Sequence, residues 1–183
     1  MNLLKLLIDL LTDIFGVTIG GLIAFFIARW QLKRQSSIEE KKKIENLKVI
    51  FDRIKKELEK NKGILVDLKG KFRKSNNARK DLWNWGLTYV NSLRFHSYYN
   101  LINTGLETLL PKDIEKDIYS AYQSLEDIMH WTKQAVVGHD FYQGFNASDN
   151  DSNNEFETIK MNINQTIVEL EKILNRIKEY EIK

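Results

Sequence analysis

Fifteen consecutive residues, Ile14 to Ala28, carry no charge, and the run ends abruptly on Arg29 and Trp30. Nothing else in the chain constrains its fold so strongly. As α-helix, such a run covers roughly 22 Å at about 1.5 Å per residue, short of the roughly 30 Å of a bilayer core, which takes about 20 residues. A spanning helix that ends at Arg29 therefore begins near Asp9 or Leu10. Upstream, "NLLKLLIDLLTD" supplies Leu3, Leu4, Leu6, Leu7, Leu10 and Leu11 to extend its apolar face. The expectation is one helix from about Leu3 into the basic segment, with residues 1–30 as a transmembrane anchor. A cleaved leader fits less well, because Asp9 and Asp13 fall where its apolar region belongs and no small-residue cleavage site precedes "RWQLKR".

Charge gives the orientation. From Lys33 to Lys80 there are 17 Lys/Arg against 7 Asp/Glu in a chain of net charge +3, so the remainder carries −7. Positive charge directly after a membrane helix marks its cytoplasmic side. The expected location is the inner (cytoplasmic) membrane, single-pass, with the N-terminus outside, the C-terminal domain in the cytoplasm and Trp30 at the interface. The chain has no cysteine, which excludes disulfides, thiolate metal sites and cysteine nucleophiles and suits a reducing compartment.

Glycine costs a soluble helix about 1 kcal/mol relative to alanine, yet Gly16, Gly20 and Gly21 sit inside the apolar run. Gly16, Gly20, Ala24 and Ala28 recur every fourth residue, a small-residue stripe that lets helix backbones approach closely in lipid. The stripe points to a homo-oligomer. Lys5, Asp9 and Asp13 continue nearly the same face, so Asp9 and Asp13 are candidate pore-lining residues, acidic rings around a narrow cation path. The alternative places both aspartates among the outer headgroups, with Lys5 paired to Asp9.

Beyond the anchor, one proline and nine glycines in 183 residues leave little to break long helices. After a polar basic neck over 31–43, "QLKRQSSIEEKKK", apolar residues recur in steps of three and four at Ile44, Leu47, Phe51, Ile54, Leu58, Leu65, Leu68 and Phe72. That is a long helix with a coiled-coil-like seam. Asn61 occupies the missing seam position, where it either fixes register and oligomer state or is a tolerated defect near Gly63. "RKSNNARKD" reads as a turn. "LWNWGLTYVNSLRFHSYYNLINTG" follows as a second helix, holding Trp83, Trp85, Tyr89, Phe95, Tyr98 and Tyr99 and capped by Gly105. Such a cluster either forms the core or stacks bases. A third helix, with Pro111 at its first position, shows Ile114, Ile118, Tyr122, Leu125 and Met129 on one face. An Asn/Asp-rich loop over about 144–155 precedes a last helix with Ile159, Ile163, Ile167, Leu170, Leu174 and Ile177. The expected fold is all-α: residues 44–183 form a cytoplasmic antiparallel bundle of about four helices fed directly by the membrane helix.

Sites of chemistry are scarce. No phosphate loop, metal-binding histidine pair or nucleophile elbow occurs. Asp149, Asp151 and Asn153 have calcium-loop spacing, but Asn154 replaces the glycine and Lys160 the bidentate glutamate, so the segment reads as a plain loop. His130 and His139 stand nine residues apart in the sequence, too far for a shared metal on one helical turn. The chain is expected to hold no catalytic site, metal or cofactor. What remains is the basic face of Lys41, Lys42, Lys43, Lys48, Arg53, Lys55 and Lys56. It suits anionic lipid headgroups, RNA or an acidic protein, or it is a solvated helix face.

A single N-terminal anchor, a basic stalk containing "KELEKNKGILVDLK", and an aromatic helix leading to "YYNLINTGLETLLPKDIEKDIYSAYQSL" together resemble small prokaryotic membrane proteins of antiviral defence loci. The layout is similar to that of the membrane accessory protein of type VI-B CRISPR systems. The resemblance implies a multimeric membrane assembly with HEPN-like helical domains and a pore that depolarises the cell. HEPN ribonucleases carry Arg, four to six residues, then His; here Arg94 precedes His96 by two, so the resemblance implies no RNA cleavage. The expected function is an oligomeric, pore-forming membrane effector triggered through its cytoplasmic bundle by a defence protein or RNA. The alternative is a non-conducting, membrane-tethered adaptor for such a partner.

Overall fold

The computed structural model describes the backbone of residues 3–73, 85–142 and 149–180, and the side-chain environments of 15–73, 85–136 and 156–180. Every regular element among them is helical: α1 Leu3–Arg73, α2 Leu87–Val90, α3 His96–Asn103, a 3₁₀ turn Leu106–Leu109, α4 Lys112–Tyr142 and α5 Asp149–Glu179. The all-α expectation holds.

The chain divides into two compact units, Met1–Glu45 and Asn46–Lys183. In the first, α1 is unbroken through the polar stretch 31–43, and every side chain from Phe15 to Lys43 is exposed. With no proline before Pro111, nothing in the sequence interrupts its hydrogen-bond ladder.

In the second unit, residues 46–73 of α1 pack with α4 and α5. Phe51 meets Tyr180 edge-on at 5.6 Å, and Phe72 meets Phe156 at 5.0 Å. The start of this stretch of α1 thus lies beside the end of α5, and the two run antiparallel. Between α4 and α5, Arg176 Nη1 donates to Asp117 Oδ1 at 2.8 Å while Ser124 reaches Glu169 at 3.2 Å, so these two are antiparallel as well. Seam residues Leu47, Phe51, Ile54, Leu58, Leu65, Leu68 and Phe72 are all buried, together with Ile114, Ile118, Tyr122 and Leu125 of α4 and Ile159, Ile163, Ile167, Leu170, Leu174 and Ile177 of α5. The seam therefore closes on the chain's own helices. A stripe buried inside one chain is not offered to a second copy, which removes the seam as a basis for self-association.

Two boundaries differ from the sequence reading. The second helix is not continuous: after α2 the chain leaves the helix over Asn91–Phe95 and restarts at His96. Also, α5 begins at Asp149, inside the expected loop over 144–155. Asp149 and Asp151 then fall in the first turn of a helix. The remainder of that loop, 144–148, lies outside the described residues, as do most of the expected turn "RKSNNARKD" and the start of the second helix with Trp83.

Two turn residues act much as their chemistry suggests. Gly105 follows α3 with φ 68°, a left-handed conformation that closes helices and that glycine adopts without a steric penalty. Pro111 precedes α4 by one residue instead of opening it, and its carbonyl accepts the Glu115 N–H at 2.9 Å.

Candidate functional site

The apolar part of α1 has an exposed surface of the kind a helix in lipid would have. Phe15 and Val17 are 65% and 78% exposed, and Ile19, Leu22, Ile23, Phe25, Phe26 and Ile27 are each more than half exposed. An uncovered apolar surface of this extent is rare on soluble proteins and marks a membrane or partner contact. Among the described residues one helix is long and apolar enough to cross a membrane, and none of its apolar window is buried. At the end of the apolar stretch the Arg34 guanidinium lies 5.4 Å from the centre of the Trp30 ring, a cation–π pair suited to an interface.

Gly16, Gly20 and Gly21 have open space where a Cβ would stand, with no atom within 4 Å. Ala24 and Ala28 are exposed like their neighbours. Among the described residues, no packing contact accounts for these small residues. Asp9 and Asp13 fall on α1, but their side chains lie outside the described residues.

Of the basic face, Lys41, Lys42, Lys43, Lys48, Arg53 and Lys56 are exposed, and none of them forms an ion pair among the described residues. Lys55 is different: half-buried, it lies 4.0 Å from Asp52 and 4.8 Å from the Phe51 ring centre. Glu45 and Asp52 are exposed among these cations, so the face is basic but not uniformly so.

A buried polar junction holds the interrupted second helix against α1. Asn61, 0% exposed, donates from Nδ2 to the Arg94 carbonyl at 2.7 Å and accepts the Arg94 N–H on Oδ1 at 2.9 Å. One turn earlier, Glu57 Oε2 accepts the Ser97 N–H at 3.0 Å, and Glu57 Oε1 accepts the Tyr122 hydroxyl at 2.6 Å. Phe95, which precedes α3, supplies no side-chain cap. Glu57 therefore caps that helix from 40 residues away, satisfying one of its free first-turn N–H groups with a carboxylate. Tyr122 stacks on Tyr98 with centroids 4.3 Å apart and planes 11° from parallel. Burial, and then the bond to Glu57, push the Tyr122 hydroxyl far above the usual tyrosine range. Burial, and then the Glu126 charge, push Tyr98 up to about 12.

This junction answers two questions the sequence left open. Asn61 is neither a register marker between chains nor a defect, since it pairs with both backbone groups of Arg94 at a helix interruption inside its own bundle. The aromatic cluster is divided: Tyr98 is core and Phe95 packs against it, while Trp85 lies at the surface beneath the Lys71 ammonium and Tyr99 donates to Glu126 at 2.7 Å. Sequence reasoning did not single out Glu57. Its signal was present, a carboxylate one turn before an asparagine at the edge of an apolar seam. His96 and His130 are both exposed, and His139 lies outside the residues with described side chains.

Compared with protein-family models, curated proteins and solved structures, the chain matches none of them.

Proposed function

We propose that the chain is a single-pass membrane protein that carries its helical bundle on the cytoplasmic side and self-associates through the membrane helix. The observation that supports this most directly is the exposed apolar surface from Phe15 to Ile27. Beside it, the open Gly16/Gly20/Ala24/Ala28 stripe provides a close-approach face. With the α1 seam consumed inside the bundle, association falls to that stripe. The bundle, reached through the basic face, is the part that engages a cytoplasmic protein or RNA. Neither step involves catalysis, and in this form the protein is a tethered adaptor.

A second reading, the cation-conducting effector, is favoured by the register of Asp9 and Asp13 with the stripe. An oligomer packed through the small residues would turn both carboxylates toward a common axis. The layout's resemblance to defence-locus membrane proteins supports an antiviral setting in which opening depolarises the cell.

Membrane insertion and topology are tested together. The protein should float with vesicles after alkaline carbonate washing. A cysteine placed at exposed Ser120 should react with an impermeant thiol reagent only after the cells are permeabilised. Carbonate extraction of the protein would overturn the membrane reading, and rapid labelling in intact cells would reverse the orientation.

A further inference from the structure

One face of α1 changes chemistry along its length. Phe15, Ile19, Leu22 and Phe26, then Arg29 and Lys33, follow one another in steps of three and four, the spacing that keeps side chains on one side of a helix. All six are exposed, the four apolar residues by 65, 53, 54 and 64% in that order. At about 3.6 residues per turn, this face lies roughly 160° around the helix from the Gly16/Gly20/Ala24/Ala28 stripe. From Phe15 to Phe26 it covers roughly 16 Å at about 1.5 Å per residue, close to half of the roughly 30 Å hydrocarbon core. That is the depth of one leaflet.

The two cations at its end have no partner among the described residues. No aspartate or glutamate stands between Asp13 and Glu39, and no ion pair reaches Arg29 or Lys33. Arg34, the next cation, is already engaged with the Trp30 ring, 5.4 Å from its centre. Long cationic side chains at the end of an apolar helix face reach the headgroup layer while their stems stay on apolar surface.

We propose that this face binds an anionic phospholipid of the leaflet on the basic side, its acyl chains along Phe15 to Phe26 and its phosphate group between Arg29 and Lys33. The site exists only where α1 spans a bilayer, as proposed above, and it lies wholly within the first compact unit. Charge selects the lipid. The phosphate of a zwitterionic lipid is balanced by its own ammonium, whereas an anionic lipid carries a net negative charge that attracts each nearby Lys or Arg. Because the face lies opposite the small-residue stripe, lipid binding and helix association do not compete.

The test uses the full chain reconstituted in phosphatidylcholine vesicles that carry a trace of spin-labelled phosphatidylglycerol or spin-labelled phosphatidylcholine. The motionally restricted fraction of each label is read by electron paramagnetic resonance. Phosphatidylglycerol should associate at least about threefold more strongly than phosphatidylcholine. Arg29→Gln/Lys33→Gln should make the two lipids nearly equal, and Arg29→Lys should retain the preference. Should the double variant not float with vesicles, Lys33→Gln alone should lower the preference. Lys69→Gln/Lys133→Gln, which removes two exposed cations of the bundle, should leave it unchanged. Equal restriction of the two lipids by the wild type would overturn the proposal and leave membrane insertion standing. An undiminished preference in the Arg29/Lys33 variant, or an equal loss in the bundle variant, would also overturn it. A wild-type protein that does not float with the vesicles, and so restricts neither label, would instead remove the membrane reading and this site with it.

Discussion

Asn61 and Arg94 form a closed two-point hydrogen bond between a side-chain amide and a main chain, at 2.7 and 2.9 Å, across 33 residues of sequence. The side chain does for Arg94 what a neighbouring strand or helix turn would otherwise do. Because Asn61 is fully buried, water cannot readily take its place. Together with Glu57 it lets the polypeptide leave a helix at Asn91 and start another at His96 without stranding the backbone groups in between.

Replacing Asn61 by leucine is the informative experiment. Leucine completes the apolar seam, so a residue that merely interrupted a coiled coil would yield a more stable protein. Here the Arg94 N–H and C=O lose their partner, at about 1–3 kcal/mol for each buried group left unsatisfied. The variant should unfold at lower denaturant concentration than the wild type, read by circular dichroism in detergent. A rise in stability, or a change in oligomer number, would contradict the assignment.

The tyrosines predict an alkaline limit. Tyr98 and Tyr122 both ionise less readily in the folded protein than at the ordinary value of 10.0. The unfolded chain therefore releases these protons first. Their contribution is fully present below pH 10 and falls above it, with Tyr98 losing its share between 10 and about 12. Each group contributes a slope of up to about 1.4 kcal/mol per pH unit where only the unfolded form is ionised. Denaturation midpoints should decline above pH 10, and the decline should be shallower in Tyr98→Phe.

Self-association can be separated from folding at the glycines. A Cβ added at Gly20 or Gly21 meets no side chain and no other segment among the described residues within 4 Å, so the comparison of the two variants isolates the stripe. Gly20→Leu, on the stripe, should lower the mass measured in detergent. Gly21→Leu, off the stripe, should leave it unchanged. Equal behaviour of the two variants would remove the stripe as the contact.

Conduction is the sharper question. Changing both Asp9 and Asp13 to asparagine keeps side-chain size and removes the charge. In the cation-path reading the oligomer survives while cation preference falls in planar-bilayer recordings. If the intact wild-type oligomer stays silent with its activating partner supplied, the adaptor reading stands alone.

The Arg176 pairs at the surface should matter little. Arg176 bridges Asp113 at 3.5 Å and Asp117 at 2.7 Å; its own side chain is 44% exposed and that of Asp113 65%, while Asp117 is 16% exposed, and a pair whose cation stays this open to solvent contributes about 1 kcal/mol. Arg176→Ala should shift the unfolding midpoint far less than Leu58→Ala, which empties a fully buried site at a cost of about 2–5 kcal/mol. Comparable shifts would mean that the α4–α5 contact depends on charge more than on packing.

What could be read directly in the sequence was whatever repeats locally. The uncharged run from Ile14 to Ala28, the three-and-four spacing of Leu47 to Phe72, and the stripes of Ile114 to Leu125 and Ile159 to Ile177 each state their own helix, because a helix face is written by residues only three or four apart. Which surface covers each stripe is a different matter. The seam on α1 could have met another chain, and only its closure against α4 and α5 decided that it does not. The break at Asn91–Phe95 was illegible for the same reason. "LTYVNSLRFHSYY" is acceptable helix by local propensity, and what stops it is the amide of Asn61 and the carboxylate of Glu57, placed 33 and 40 residues earlier in the chain. Local spacing determines where helices form; long-range hydrogen bonds, worth making only once water is excluded, determine where this one ends.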